Sequence, residues 1–138
     1  MKAGFAKMAM VSRDEGEFCD SVEMIQIDDL ISMKPTLLKL DVQGYEVKVL
    51  RGAERILKTH PKVAIEVHCM DVAKYGNTVE EMLGLLNLNE YECWILYNDE
   101  REVIKFDGGT ERMKRYPYVH LFGVPRANTS PQSVSARA

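Results

Sequence analysis

This sequence has few cysteines and no long apolar run, and each shortage excludes a class of protein. Its 138 residues include three cysteines, Cys19, Cys69 and Cys93, which stand far apart and form no C-x-x-C pair. That spacing is typical of reduced thiols in a cytoplasmic protein and not of a disulfide framework. No stretch approaches the roughly 20 apolar residues of a membrane span, and residues 1–10 lack the apolar segment of a signal peptide. We therefore expect a cytoplasmic protein.

Several common catalytic and binding signatures are also missing. The chain contains no Ser-His-Asp signature, no P-loop and no G-x-G-x-x-G run. Its formal net charge of −3 comes from acids and bases that are interspersed along the chain, so it predicts no attraction to nucleic acid or to an anionic membrane. We therefore expect neither a nucleic-acid partner nor a membrane span.

The length and the order of the patterns favour a single domain. Residues 1–125 carry alternating strand and helix patterns, whereas residues 126–138 form a small polar tail that we predict to be disordered. Short strands are predicted at Met8–Val11 and Val22–Ile27, and no more than one helical turn follows before Pro35.

A strand, a helix and a second strand occupy the middle of this domain. Thr36–Val42 has a near-continuous apolar pattern, which predicts a strand covered on both faces. Tyr45–Thr59 changes to a helical period, and Gly52 inside it either kinks the helix or permits close packing on a strand. The run KVAIEVHC, residues 62–69, then alternates as a second strand.

The second half of the chain adds one helix and three strands. Thr78 and Glu81 form a capping-box signature, which predicts the start of the helix. Two strand-like runs surround the polar turn Asn98–Arg101, and Val119–Val124 supplies the last strand. This order predicts a three-layer α/β domain, in which the sheet is parallel at first and has an antiparallel edge.

Three polar side chains lie where the two central strands end. A right-handed crossover through one helix makes strands 36–42 and 63–68 parallel neighbours, and ligands bind beyond the C-terminal ends of such strands. Asp41 ends the first strand, and Glu66 and His68 end the second, two residues apart and hence on one face. We therefore expect these three proton-transferring or metal-ligating groups to converge on one crevice.

Each of the three side chains also has a purely structural interpretation. Asp41 could cap the helix that follows it, and Glu66 could form an ion pair with Lys39 on the neighbouring strand. His68 could be a hydrogen-bonded residue at a strand end. A metal site built from these three groups is chemically conceivable, but a set of ligands inferred from a predicted sheet does not establish one, and none is predicted.

The run LLKLDVQGYEVKVLRGAERIL, followed by PKVAIEVH, resembles the signature of FkbM-type S-adenosylmethionine-dependent methyltransferases. In that family an apolar strand ends in Lys-x-Asp-x-Glu-Gly-x-Glu, and a later strand carries Glu and His. The similarity extends from about Met8 to about Val124. Gln43 departs from the pattern, since it stands where the family usually has glutamate. The matching positions are Asp41, Gly44, Glu46, Leu50, Gly52, Ala53, Glu66 and His68.

The resemblance implies a partial Rossmann-like methyltransferase sheet with helices on both faces. It implies methyl transfer from S-adenosylmethionine to a hydroxyl of a small molecule, a glycan or a lipid. The catalytic residues would be Asp41, Glu66 and His68, with Asp41 orienting or deprotonating the acceptor, and the cofactor-binding residues would be Asp41, Val42 and Gly44.

The first strand and the Gly-rich loop of such methyltransferases have no counterpart in this chain, which predicts a truncated form and weak unaided cofactor binding. The strand 36–42 would then be an exposed edge, which the N-terminal segment, a second copy or a complementing chain would cover. The alternative is a catalytically inactive remnant or interaction module that does not bind the cofactor.

Overall fold

The computed structural model describes residues 7–11, 20–30, 32–98 and 100–127. No helix among these residues has the length and hydrophobicity that a membrane span requires. Cys19 and the polar tail from residue 128 onward lie outside the described residues. The strands are β1 (Lys7–Val11), β2 (Asp20–Met24), β3 (Leu37–Leu40), β4 (Lys62–Val67), β5 (Tyr91–Tyr97), β6 (Ile104–Lys105) and β7 (Val119–Pro125), and the helices are α1 (Ile27–Leu30), α2 (Glu46–Arg51), α3 (Glu54–Leu57) and α4 (Val79–Leu85).

The main sheet has five strands in the order β3-β4-β7-β5-β6. Strands β3 and β4 are parallel, because the chain crosses over through α2 and α3 between them, whereas β7 pairs antiparallel with both β4 and β5. The predicted α/β class, with parallel strands first and an antiparallel C-terminal part, is thereby confirmed. Strands β1 and β2 form a separate antiparallel pair.

The sheet buries one face more deeply than the other. In β4 the side chains of Val63, Ile65 and Val67 are buried, while Ala64 and Glu66 on the opposite face are only half-buried. The prediction that strand 36–42 is covered on both faces is wrong, since Leu37 and Lys39 are exposed. The reason is its place in the sheet: β3 is the edge strand, so a continuous apolar run there does not imply two covering layers.

The predicted helix 45–59 is divided at Gly52. Helix α2 ends at Arg51, and Asp28 donates its backbone N–H to the Gly52 carbonyl at 3.0 Å, so the break packs against the segment around α1 and not on a strand. The Asp28 carboxylate then accepts the N–H groups of Arg55 and Ile56 at 2.7 and 3.1 Å. Asp28 thus supplies the N-terminal hydrogen-bond partners that α3 lacks locally.

Helix α4 starts where the capping signature predicts. The hydroxyl of Thr78 accepts the backbone N–H of Glu81 at 3.1 Å. The helix buries its apolar face and packs against α2, which it also meets through an ion pair between Arg51 and Glu81. The buried members of that face are Val79, Met82, Leu83 and Leu86.

The two described cysteines are free thiols buried in the core, as the sequence predicts. Burial raises the pKa of the Cys69 thiol to about 11, and it also raises the pKa of Cys93. Both groups are therefore protonated near neutral pH, which makes them poor nucleophiles.

Candidate functional site

The register of the parallel pair brings the three predicted polar residues together. Leu40 pairs with Ile65, so Asp41 follows β3 at the height at which Glu66 stands on β4. His68 comes directly after the end of β4 on the same side. One ligand atom from each of Asp41, Glu66 and His68 can be chosen so that all three atoms lie within 4.8 Å of one another.

Accessibility differs sharply among these three side chains. The Asp41 side chain is 40% exposed, that of Glu66 is 23% exposed and that of His68 is 5% exposed. The cluster therefore runs from an open carboxylate at the surface to an imidazole in the interior. Of the three, Asp41 is the group that a substrate can reach most easily.

The buried carboxylate of Glu46 contacts the imidazole of His68. The Oε1 atom of Glu46, on the first turn of α2, lies 2.7 Å from Nδ1 of His68, and the Glu46 side chain is only 1% exposed. The family resemblance marks Glu46 as a matching position but predicts no role for it in the site. The available signal was its neighbours: Val47 and Leu50 are both fully buried, so Glu46 is an acid on the core side of a helix.

A glycine makes the turn between β3 and α2. Gly44 has a φ of +97°, and a Cβ at this position would lie 2.9 Å from the carbonyl carbon of Asp71. Its N–H donates to Oε1 of Glu46 at 3.1 Å. Gln43 precedes it with a φ of +51° and donates its side-chain amide to Asp41 at 3.3 Å. The turn thus presents Asp41 outward and directs Glu46 inward.

Two of the structural alternatives considered for these residues are wrong. Helix α2 has no side-chain cap, so Asp41 does not cap it. Lys39 stands opposite Ala64 in the sheet, and its Nζ atom lies 3.9 Å from the Asp41 carboxylate instead of pairing with Glu66. The predicted pair failed because the register places Lys39 opposite Ala64, two residues before Glu66 on the same face.

Glu66 faces two histidines. Its Oε1 atom lies 3.4 Å from Nε2 of His68, and its Oε2 atom lies 3.8 Å from Nδ1 of His120. His120 is the direct cross-strand partner of Glu66 on β7. The Tyr118 ring lies beside both histidines, with its centroid 6.1 Å from that of His68 and 5.7 Å from that of His120. His120 could not be predicted as a site residue from the sequence, because only the order of strands in the sheet places β7 beside β4.

Comparisons with known proteins give one family and one solved structure. A family model described as the methyltransferase FkbM domain matches residues 4–93, a range that contains Asp41, Glu46, Glu66 and His68. The crystal structure of methyltransferase FkbM from Methylobacillus flagellatus KT is similar, with a TM-score of 0.44 and 22% identity. The similarity covers 85% of this chain and 26% of that one, so this chain spans about a quarter of that protein's length. No curated protein matches the chain.

Proposed function

The chain belongs to the FkbM methyltransferase family, and from this premise we propose that it serves S-adenosylmethionine-dependent O-methyl transfer to a hydroxyl of a small molecule, a glycan or a lipid. The observation that carries the proposal is the open carboxylate of Asp41, which stands at the C-terminal edge of parallel strands with Glu66 and His68 beside it. Ligands bind at this edge in α/β sheets of this kind.

In this proposal Asp41 acts on the acceptor. Its exposed carboxylate accepts a hydrogen bond from the acceptor hydroxyl and takes up the proton as the oxygen is methylated. Lys39 and Gln43 both lie against Asp41 and hold it in place, at 3.9 Å and 3.3 Å respectively. Glu66 and His68 are supporting groups, since their lower exposure leaves less surface for an acceptor.

The cofactor would be held at the same edge by Asp41 and Val42. S-adenosylmethionine, when bound, supplies a methyl group activated by a positively charged sulfonium. An exposed carboxylate beside a half-buried valine suits a cationic, partly apolar ligand. The N–H of Gly44 is already donated to Glu46, so the contribution of Gly44 is the close turn it permits and not a free donor.

The test is binding first and transfer second. Calorimetric titration of the purified chain with S-adenosylmethionine should give weak but saturable binding, with S-adenosylhomocysteine as a competitor at the same site. Incubation with a methyl-labelled cofactor and a panel of sugar, lipid and small-molecule alcohols should then label an acceptor. A chain that binds neither compound under conditions where it is folded would contradict the proposal and favour the alternative below.

The alternative is an interaction module without methyl transfer. A set of large apolar side chains near β3 and α1 is exposed, which is unusual for residues that contact only water. Among the described residues no strand pairs with the outer side of β3, so its backbone groups are available to another chain. We propose that a second copy or a complementing chain pairs there. The exposed apolar residues are Ile25, Leu30, Met33 and Leu37.

We also propose a cytoplasmic location. The two described cysteines, Cys69 and Cys93, are unpaired, which suits a reducing compartment.

A further inference from the structure

We propose that Asp41, Glu66 and His68 bind one divalent first-row transition-metal cation, and that Glu46 positions the histidine for it. The first reason is convergence. Ligand atoms of all three residues lie within 4.8 Å of one another, so small side-chain rotations bring them to one ion. Metal-ligand bonds of roughly 2.0–2.2 Å place neighbouring ligand atoms about 3 Å apart, so a modest contraction suffices.

The second reason is the hydrogen bond between Glu46 and the imidazole of His68. Oε1 of Glu46 already accepts the N–H of Gly44 at 3.1 Å, so it is an acceptor towards His68 as well. We therefore assign to His68 the tautomer that donates Nδ1–H to this carboxylate. A carboxylate that holds the inner nitrogen of a histidine in this way is the usual outer partner of a metal-bound imidazole.

The third reason is what faces the other ring nitrogen. In this tautomer Nε2 carries the lone pair, and the Glu66 carboxylate oxygen lies only 3.4 Å from that atom. Both atoms are acceptors, so nothing attractive joins them unless a proton or a cation lies there. A metal ion bound by Nε2 and by the carboxylate satisfies both.

The fourth reason is the balance of charge. Three carboxylates, those of Asp41, Glu46 and Glu66, surround one imidazole. Oε2 of Glu46 is buried and has no hydrogen-bond partner. The basic side chains beside the cluster lie at long distances: Nζ of the largely exposed Lys39 is 3.9 Å from Asp41, and Nδ1 of His120 is 3.8 Å from Glu66. The charge of the buried Glu46 and the half-buried Glu66 needs compensation, which a divalent cation supplies.

The donor set indicates the class of ion. One imidazole nitrogen with two carboxylate oxygens suits Zn²⁺, Co²⁺ or Mn²⁺ better than Mg²⁺ or Ca²⁺, which prefer oxygen alone. Three protein ligands leave positions open on the exposed side of Asp41, where an acceptor hydroxyl could bind. That last role rests on the proposed function, whereas ion binding itself does not.

To test ion binding, the chelator-treated 138-residue chain is titrated with Co²⁺ alone, and binding is measured by visible absorption and by calorimetry. We expect saturable binding of a single ion. Asp41→Asn and His68→Gln should weaken it strongly. Glu46→Gln should weaken it roughly 10- to 100-fold and shift the absorption band, because a neutral amide oxygen is a weaker acceptor for the imidazole N–H than a carboxylate. His60→Gln is the matched control, since His60 forms a separate 2.7 Å pair with Glu90, and it should bind as the parent does.

Asp41 is exposed, so Asp41→Asn keeps the test decisive even if a variant of His68 fails to fold. No saturable Co²⁺ binding by the parent chain would overturn the proposal. Equal binding by the parent chain and Asp41→Asn would also overturn it, by placing the ion elsewhere. Neither S-adenosylmethionine nor an acceptor is present, so the result is independent of any failure to transfer methyl groups.

Discussion

His68 on the β4 side and Glu46 on α2 form a hydrogen bond of 2.7 Å in which both side chains are almost fully buried. This contact joins α2 to the sheet next to the cluster that contains Asp41. We expect Glu46→Ala to lower the free energy of unfolding by about 1–3 kcal/mol for the unpaired imidazole, with a further loss for the cavity. Glu46→Gln, which keeps an acceptor and the volume, should cost less.

Urea unfolding followed by circular dichroism measures this difference. Glu102→Ala is the control, because Glu102 is exposed and lies away from the cluster, and its effect should stay within about 0.5 kcal/mol. Equal stabilities for Glu46→Ala and the control would show that the pair contributes nothing to folding.

Asp41→Asn tests the proposed role in methyl transfer. Asparagine keeps the size of the side chain but cannot accept the acceptor's proton, so turnover at saturating S-adenosylmethionine should fall by roughly 10²–10⁴-fold. The loss of the carboxylate should also weaken binding of the cationic cofactor, by a smaller factor. The measurement combines methyl-transfer kinetics with calorimetry. Asp29→Asn, at an exposed acid of α1, should retain full turnover. An Asp41→Asn protein with parental turnover would remove Asp41 from the mechanism.

Two glycines should respond to alanine in opposite directions. Gly44→Ala places a Cβ against the Asp71 backbone at a φ of +97°, so we expect a loss of about 1–3 kcal/mol from backbone strain alone. Gly84, on α4, has open space around its Cβ position, and Gly84→Ala should gain up to about 1 kcal/mol of helix propensity. Chemical denaturation of both variants gives the two signs, and a tolerated Gly44→Ala would contradict the close turn.

A surface carboxylate should contribute to stability in a defined pH range. Hydrogen bonds from Lys114 and Thr110 lower the pKa of Glu80 from 4.5 to about 2. Because the folded pKa is depressed, the contribution is present above pH 4.5 and is lost as the pH falls towards 2. Because Glu80 is highly exposed, this contribution to the free energy of unfolding is at most about 1 kcal/mol.

Urea unfolding of the parent and of Glu80→Gln at several pH values measures this pH dependence of the free energy of unfolding. The parent should be more stable near pH 7, and the two curves should meet near pH 2. A difference that grows on acidification would show the opposite linkage.

The outer edge of β3 should control association. Leu37 is 55% exposed on this edge strand, so a lysine there should oppose strand pairing. If two copies pair through β3, light scattering of the parent will show a mass that rises with concentration, and Leu37→Lys will stay monomeric. Val103→Lys, at a similarly exposed position outside the strands, should behave as the parent. A parent that is monomeric throughout would exclude self-pairing and leave a complementing chain as the candidate partner.

Local patterns were sufficient for much of the fold. Alternation in residues 62–69 predicted β4, and the pairing of Thr78 with Glu81 predicted the start of α4, because strand faces and helix caps depend on residues a few positions apart. The convergence of Asp41, Glu66 and His68 followed from one further rule, the parallel crossover. Their chemical roles stay predictions.

Contacts between residues that are far apart in the chain could not be predicted from local patterns. The break at Gly52 depends on Asp28, 24 positions earlier, and the wrong Lys39 pair depended on a register that the pattern does not specify.

The sequence alone thus determined the α/β class, the family resemblance and the three side chains at the strand ends, because these depend on short-range pattern and residue type. Only the tertiary structure decided that Glu46 holds His68, that His120 faces Glu66 and that Lys39 lies against Asp41. The physical reason is that each of these contacts joins different elements or depends on strand register, and packing and register settle only when the helix and the strands assemble.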